Sequence, residues 1–177
     1  MKIEYTHGSK YGNGALIADE FKRQMAARGI LVNVHHVRDV RPREIQPADL
    51  YVFSSPGRFG KPVGEMRKFL KAVTIPPGTR YALMVTELAP KPEVQERMPT
   101  EDKAGACQRV IPIMDELLQE KGLVKVAEGK IFVTGLKGPL EKDWQKHVEA
   151  FASRIPVPPP HATGDESSAD ARVVSVV

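Results

Sequence analysis

Apolar positions along this chain switch between two periods. Short, nearly continuous runs read as strands, and stripes spaced three or four residues apart read as helices. Residues 3–7 open the chain as a strand, although Lys2, Glu4 and Thr6 break the apolar run expected of a strand covered on both faces. Over 15–28, Leu16, Ile17, Phe21 and Met25 recur at helical spacing, and Gly29 follows as a C-terminal cap. The β-branched run 30–37 predicts a second strand. Pro42 and Pro47 leave room for no more than one turn of helix before the short apolar run 49–53, which reads as a central parallel strand.

The second half repeats the alternation. Val63, Met66, Leu70 and Val73 predict a helix over 63–73, Pro76-Pro77-Gly78 ends it, and 81–85 is a fourth strand. The proline-rich stretch from Thr86 to about Asp102 is long for a connection in such a domain, where about 2–6 residues is usual, and long loops of this kind are often functional. Val110, Ile111, Met114, Leu117 and Leu118 predict a helix over 104–121 that Pro112 kinks or divides in two, with Gly122 as its cap. Segments 123–127 and 131–134 form one interrupted fifth strand, and Trp144, Val148 and Phe151 mark a last helix.

Strands that alternate with helices predict an α/β fold, a doubly wound five-stranded parallel sheet, because each parallel connection must cross over through a helix packed on one face. One domain is expected over 1–155. From Pro156 the composition turns to proline and small polar residues, which bury too little surface to offset ordering entropy, so 156–177 reads as a disordered tail. Its end, Val173-Val174-Ser175-Val176-Val177, is an unstructured terminus or a strand added to a partner.

Composition narrows the class. With 41% hydrophobic and 27% charged residues the chain is neither disordered throughout nor a membrane protein. No apolar run is long enough to span a bilayer and the start lacks a signal-peptide layout, so a cytoplasmic protein is expected. The single cysteine, Cys107, has no partner for a disulfide or a CxxC pair. Net charge is only +4, yet basic residues crowd at Arg38, Arg41 and Arg43, and again at Arg58, Lys61, Arg67, Lys68 and Lys71. Such clusters are solvated faces, or they steer an acidic partner or a phosphorylated ligand. Nucleic-acid binding is not expected, since no helix-turn-helix, zinc or RNA-binding signature accompanies the charge and aromatics make up 6%.

Two strand-to-helix loops carry the candidate chemistry. Ser9-Lys10-Tyr11-Gly12-Asn13-Gly14 can turn consecutive backbone N–H groups toward one point at the positive end of a helix, which is a geometry for phosphate. Gly12 and Gly14 permit the tight turn, and the Ser9 hydroxyl and Asn13 amide can donate to phosphate oxygens; an ordinary glycine-rich turn is the plainer alternative. The second loop, Ser55-Pro56-Gly57-Arg58-Phe59-Gly60, offers backbone polar groups at Pro56 and Gly57 and an aromatic ring at Phe59 that either packs on a ligand or points into the core. His35 and His36, adjacent on a strand, should point to opposite faces and so cannot chelate one metal together; His7 reads as a hydrogen-bonded structural histidine that could reach a phosphate.

The run from Tyr5 to Gly14, followed by Ser55-Pro56 and Phe59-Gly60 in a chain of this length, resembles the flavodoxin family over roughly residues 1–154. The resemblance implies strand order 2-1-3-4-5 and FMN held without a covalent bond at the carboxyl ends of the strands, an arrangement for which flavodoxin is itself the standing example. It further implies that Ser9, Lys10, Tyr11, Gly12, Asn13 and Gly14 wrap the FMN phosphate. Ser55, Pro56, Gly57, Arg58, Phe59 and Gly60, together with the third loop beginning at Thr86 and Glu87, would flank the flavin ring. Three departures stand out: Gly14 replaces a threonine common in relatives, the third loop lacks the usual glycine and stacking aromatic, and the pI near 9.2 contrasts with the acidity of free-standing flavodoxins. Three functions follow from the resemblance: an electron carrier for a redox partner protein, an acidic partner among those open to it; a flavin-dependent NAD(P)H or quinone reductase; or a binding module that has lost FMN.

Overall fold

The computed structural model describes residues 1–90 and 109–157. The proposed helix start at 104–108, Cys107, most of the long loop after the fourth main strand, and the tail from 158 onward lie outside the described residues. In chain order the elements are β1 (Lys2–His7), α1 (Asn13–Ala26), β2 (Leu31–His36), β3 (Leu50–Arg58), β4 (Lys61–Pro62), α2 (Gly64–Ala72), β5 (Arg80–Leu88), α3 (Val110–Gln119), β6 (Val124–Val133) and α4 (Trp144–Ser153). The sheet runs β2-β1-β3-β5-β6, with β4 paired to β3 alone. Every pairing along the main path is parallel. Set aside the two-residue β4, and this is the expected order 2-1-3-4-5.

Both faces of the sheet are covered, and the central strands are apolar on both sides for that reason. Leu50 and Val52 of β3 face α1 and α4 with Ile17, Phe21, Met25, Val148 and Phe151, while Tyr51 and Phe53 face α2 and α3 with Met66, Phe69, Leu70, Met114 and Leu118. Each such side chain stabilises the fold by about 1.5–3 kcal/mol relative to an exposed position. Leu16, counted in the buried stripe of α1 from its spacing, is instead 54% exposed, because its neighbour Ile17 occupies the centre of that stripe.

The polar interruptions in β1 have a specific cause. Ile3 and Tyr5 point into the α1–α4 core, whereas Glu4 lies on the opposite face, next to a connection (37–49) that forms turns and no helix. With no helix to pack against, the buried Glu4 carboxylate accepts from Asn33 Nδ2 at 2.7 Å, meets His35 Nε2 at 2.8 Å and pairs with Lys2 Nζ at 3.0 Å.

Three boundaries differ from expectation. β6 is continuous, and a register shift places Val126 as an extra residue between the Tyr81–Lys125 and Ala82–Ala127 pairs. Its apparent interruption, Glu128-Gly129-Lys130, is an edge strand whose charges pair with Lys125 and Glu87. Gly129 is small because a Cβ there would sit 2.9 Å from Met84 and 3.0 Å from Phe151. The described helix begins at Val110 and places Pro112 in its first turn, where its missing N–H has no intrahelical acceptor; the part of the expected helix before it lies outside the described residues. β3 and β5 run on through Arg58 and Leu88, into segments expected to be loops.

Candidate functional site

Sheet order reverses between β1 and β3, and the loops after these two strands leave the sheet side by side at its carboxyl edge. The Gly8 amide donates to the Ser54 carbonyl at 2.9 Å, tying the two exits together. In open α/β sheets such a switch point is where ligands bind.

The first loop is an amide cradle. Gly12 caps α1 at φ +88°, a conformation that disfavours side chains, and the 14-residue helix starts at Asn13 with no acidic residue in its first turn. The backbone amides of Lys10, Tyr11, Gly12, Asn13 and Ala15 donate to no protein acceptor among the described residues. Amides of this kind at the positive end of a helix suit an anion, and the exposed Lys10 side chain stands beside them, its Nζ 5.5 Å from the centre of the Tyr11 ring.

The small residue at 14 follows from close approach. A Cβ on Gly14 would lie 2.9 Å from Ser9 Cβ, and the Gly14 N–H donates to Ser9 Oγ at 3.0 Å. Ser9 therefore closes the loop from within and keeps its own O–H free to donate outward. Asn13 departs from the role its sequence position suggests. Its Nδ2 donates to the Lys137 carbonyl at 3.2 Å, binding the start of α1 to the segment after β6.

Two histidines hold Ser9 from below, a feature with no spacing motif to announce it because the pair comes from the ends of different strands. His36 Nε2 lies 2.9 Å from the Ser9 carbonyl, which can only accept, so Nε2 carries the proton; His36 Nδ1 accepts from the Arg38 amide at 3.2 Å. His7 Nδ1 accepts from the Ser9 amide at 3.4 Å, and the two rings meet edge to face at 5.1 Å. Burial, then the neighbouring His36, hold the His7 pKa below its ordinary value against the opposing pull of Asp19 and Asp39. His35 turns the other way, to Glu4, as its place next to His36 on a strand requires.

The second loop is a hairpin, not an open loop. Ser55 is fully buried, and its Oγ accepts from the Val63 amide and donates to the Pro56 carbonyl, both at 3.1 Å, so its hydroxyl serves the hairpin base. Pro56 pairs with Thr86 and Gly57 with Pro62, which places both in ladder positions and leaves less of their backbone bare than a loop would. Phe59 (φ +50°) and Gly60 form the two-residue turn, and Phe59 is 92% exposed, away from the core. Thr86 and Glu87 are likewise buried residues of β5, and Glu87 pairs with Lys130 Nζ at 2.9 Å. The first loop and the hairpin are thus brought together, while the side chains of Ser55 and Glu87 bond within the protein and Thr86 is buried beside them. Of the two basic clusters, Arg38 pairs with Glu65 and Arg41 with Glu44.

Solved structures share this fold. Oxidised flavodoxin 1 from Bacillus cereus matches 87% of this chain and 96% of its own, at 16% identity and a TM-score of 0.67. The fold is flavodoxin-like. Flavodoxin 2 of the same organism matches at 20% identity with a TM-score of 0.66, covering 87% and 97% of the two chains. The flavodoxin-like fold also recurs within rubredoxin oxygen:oxidoreductase from Desulfovibrio gigas, at 11% identity and a TM-score of 0.63, where 87% of this chain matches 35% of that one. No protein-family model matches the sequence, and no curated protein is significantly similar to it. Among the described residues no helix is long and apolar enough to cross a membrane, and no group of three or more His, Cys, Asp or Glu is placed to hold a metal ion.

Proposed function

We propose that this chain binds FMN at the β1–α1 loop and serves as a cytoplasmic electron-transfer protein. The observation that carries the reading is the row of unpartnered amides at Lys10–Asn13 and Ala15, set at the switch point of a flavodoxin-like sheet. A phosphate monoester fits that cradle. The loop offers main-chain donors, the α1 dipole, the Ser9 hydroxyl and the Lys10 ammonium, and Gly14 leaves Ser9 the space to close it. FMN would supply the redox chemistry, and the chain would hold its phosphate, flank its ring between the β3–β4 hairpin and the end of β5, and present it to a redox partner.

A second reading, a binding module without FMN, draws on Asn13, whose amide is turned to Lys137 and is spent inside the protein. Titration of the purified chain with FMN and with riboflavin, followed by flavin fluorescence, separates the two. If the amide cradle grips the phosphate, FMN binds saturably and at least tenfold tighter than riboflavin, which corresponds to about 1.4 kcal/mol. Equal affinities would remove the phosphate site, and no binding of either would favour the module.

A further inference from the structure

The β3–β4 hairpin combines features that each work against stability. Phe59 takes a positive φ in a two-residue turn, a position that favours asparagine or glycine. Its ring is 92% exposed, with the Arg58 guanidinium 5.7 Å from the ring centre. Arg58 and Lys61 stand directly opposite each other across the two strands, where like charges repel. The Gly60 carbonyl accepts from the Arg109 amide at 2.8 Å, which brings the backbone of a third basic residue, itself exposed, to the turn. Arg109 is also the N-cap of α3, a helix whose first turn has no acidic residue to offset the positive end of its dipole. Among the described residues Arg58, Lys61 and Arg109 form no ion pair. A strained, exposed aromatic at a turn that gathers Arg58, Lys61 and Arg109 adds no packing that asparagine-glycine would forfeit among the described residues.

We propose that this hairpin tip is the docking element for an acidic face of a partner protein. A protruding ring lacks the walls that enclose a small anion, and small-ligand sites are concave. An aromatic flanked by arginine is instead what anchors protein interfaces, with surrounding charges setting approach and partner choice. A second copy docking through the same hairpin would set like charges against each other. The hairpin base abuts the candidate cofactor loop: a Cβ on Gly8 would lie 3.0 Å from Val63 Cγ2, so a protein seated on Phe59 is held beside the amide cradle. The partner's redox role rests on the FMN reading; the docking face does not, and it is tested by binding of the flavin-free chain.

The probe is an acidic plant-type ferredoxin, titrated at low and moderate salt into the full-length, isotopically labelled chain without FMN, with a single-stranded oligonucleotide and the basic protein lysozyme as comparisons. The expected result is weak association with the ferredoxin alone, amide shifts concentrated at 57–62 and 109, and affinity that falls steeply with salt. Arg58→Glu/Lys61→Glu should weaken binding by more than about tenfold. Phe59→Asn should weaken it by about fivefold or more while raising the melting temperature, a pairing of effects that a structural role for the ring would not give. No association at low salt, shifts centred on α2 instead of the hairpin, tighter binding of the oligonucleotide, or a Phe59→Asn protein that binds normally would each overturn the proposal. Failure of FMN to bind would leave these outcomes unchanged and would count only against the cofactor reading.

Discussion

The β1–α1 loop and the β3–β4 hairpin leave adjacent strands at the same edge of the sheet, yet they are built in opposite ways. The first is concave and works through the main chain: its side chains mostly serve to hold the loop, Ser9 to Gly14, Asn13 to Lys137, and two histidines to Ser9. The second is convex and works through side chains, with Phe59 and its cations outside and Ser55 closing the base beneath. Amides fixed by the backbone are preorganised and cost little to aim at an anion, so they suit a tightly held ligand. Exposed cations at one turn suit a transient encounter that is steered and then released. On the proposed reading, one end of the sheet would both grip a cofactor and present it.

The strongest way to break this contrast is to crowd the concave loop. Gly14→Val places carbon where Ser9 Cβ already stands 2.9 Å away, so the loop must open. The expected outcome is a stability loss of about 1–3 kcal/mol in urea titrations and at least a tenfold loss of FMN affinity. Because the obstruction is a single Cβ, Ser9→Gly combined with Gly14→Ala should be more stable than Gly14→Ala alone. An additive double mutant would show that Ser9 is not the obstacle.

Gly12 tests the same loop through conformation alone. Nothing lies within 4 Å of a Cβ placed there, so the φ of +88° is the entire objection. Gly12→Val should lose about 1–2 kcal/mol, and Gly12→Asn clearly less, since asparagine tolerates the left-handed region. Equal losses for the two would point to crowding that the geometry does not show.

The fold was legible from period and punctuation, because strands buried on both faces and amphipathic helices each leave a one-dimensional trace. Gly29 and Gly122 mark helix ends as read, with φ of +71° and +75°. What escaped the sequence was set by partners distant along the chain. Nothing near residue 57 says that β3 runs on to Arg58 and folds back through a two-residue turn, because Phe59 replaces the asparagine that usually announces one. The burial of Thr86 and Glu87 depends on Lys130 and on the neighbouring strands. The clamp on Ser9 joins His7 to His36, residues that only parallel pairing of β1 with β2 brings together.

That clamp carries a pH signature confined to the concave loop. The folded protein holds His7 below its unfolded value of 6.5, so in acid the unfolded chain takes up a proton that the native state resists. The stabilisation is complete above about pH 6.5 and is lost as pH falls from there through the folded pKa, with a slope of at most about 1.4 kcal/mol per pH unit from this group. Urea midpoints measured from pH 7.5 down to 5 should therefore decline more steeply in the native chain than in His7→Gln, which cannot titrate. Parallel curves would assign the acid sensitivity to other groups.

The smallest effect sharpens the comparison most, because it reverses the sign seen at Gly12. Both turns place a residue at positive φ, but one holds glycine and the other phenylalanine. Replacing glycine removes a fit the loop requires; replacing Phe59 with asparagine supplies the residue its turn favours and removes an exposed ring that lies against Arg58. Phe59→Asn should gain roughly 0.5–1 kcal/mol, read as a higher urea midpoint at unchanged slope. A loss instead would mean that the ring supports the fold through contacts beyond Arg58, and the hairpin would then belong to the framework with Ser55. A gain would identify strain that the chain retains at a tip where an aromatic and basic residues face solvent, and strain of this kind is kept for binding and not for folding.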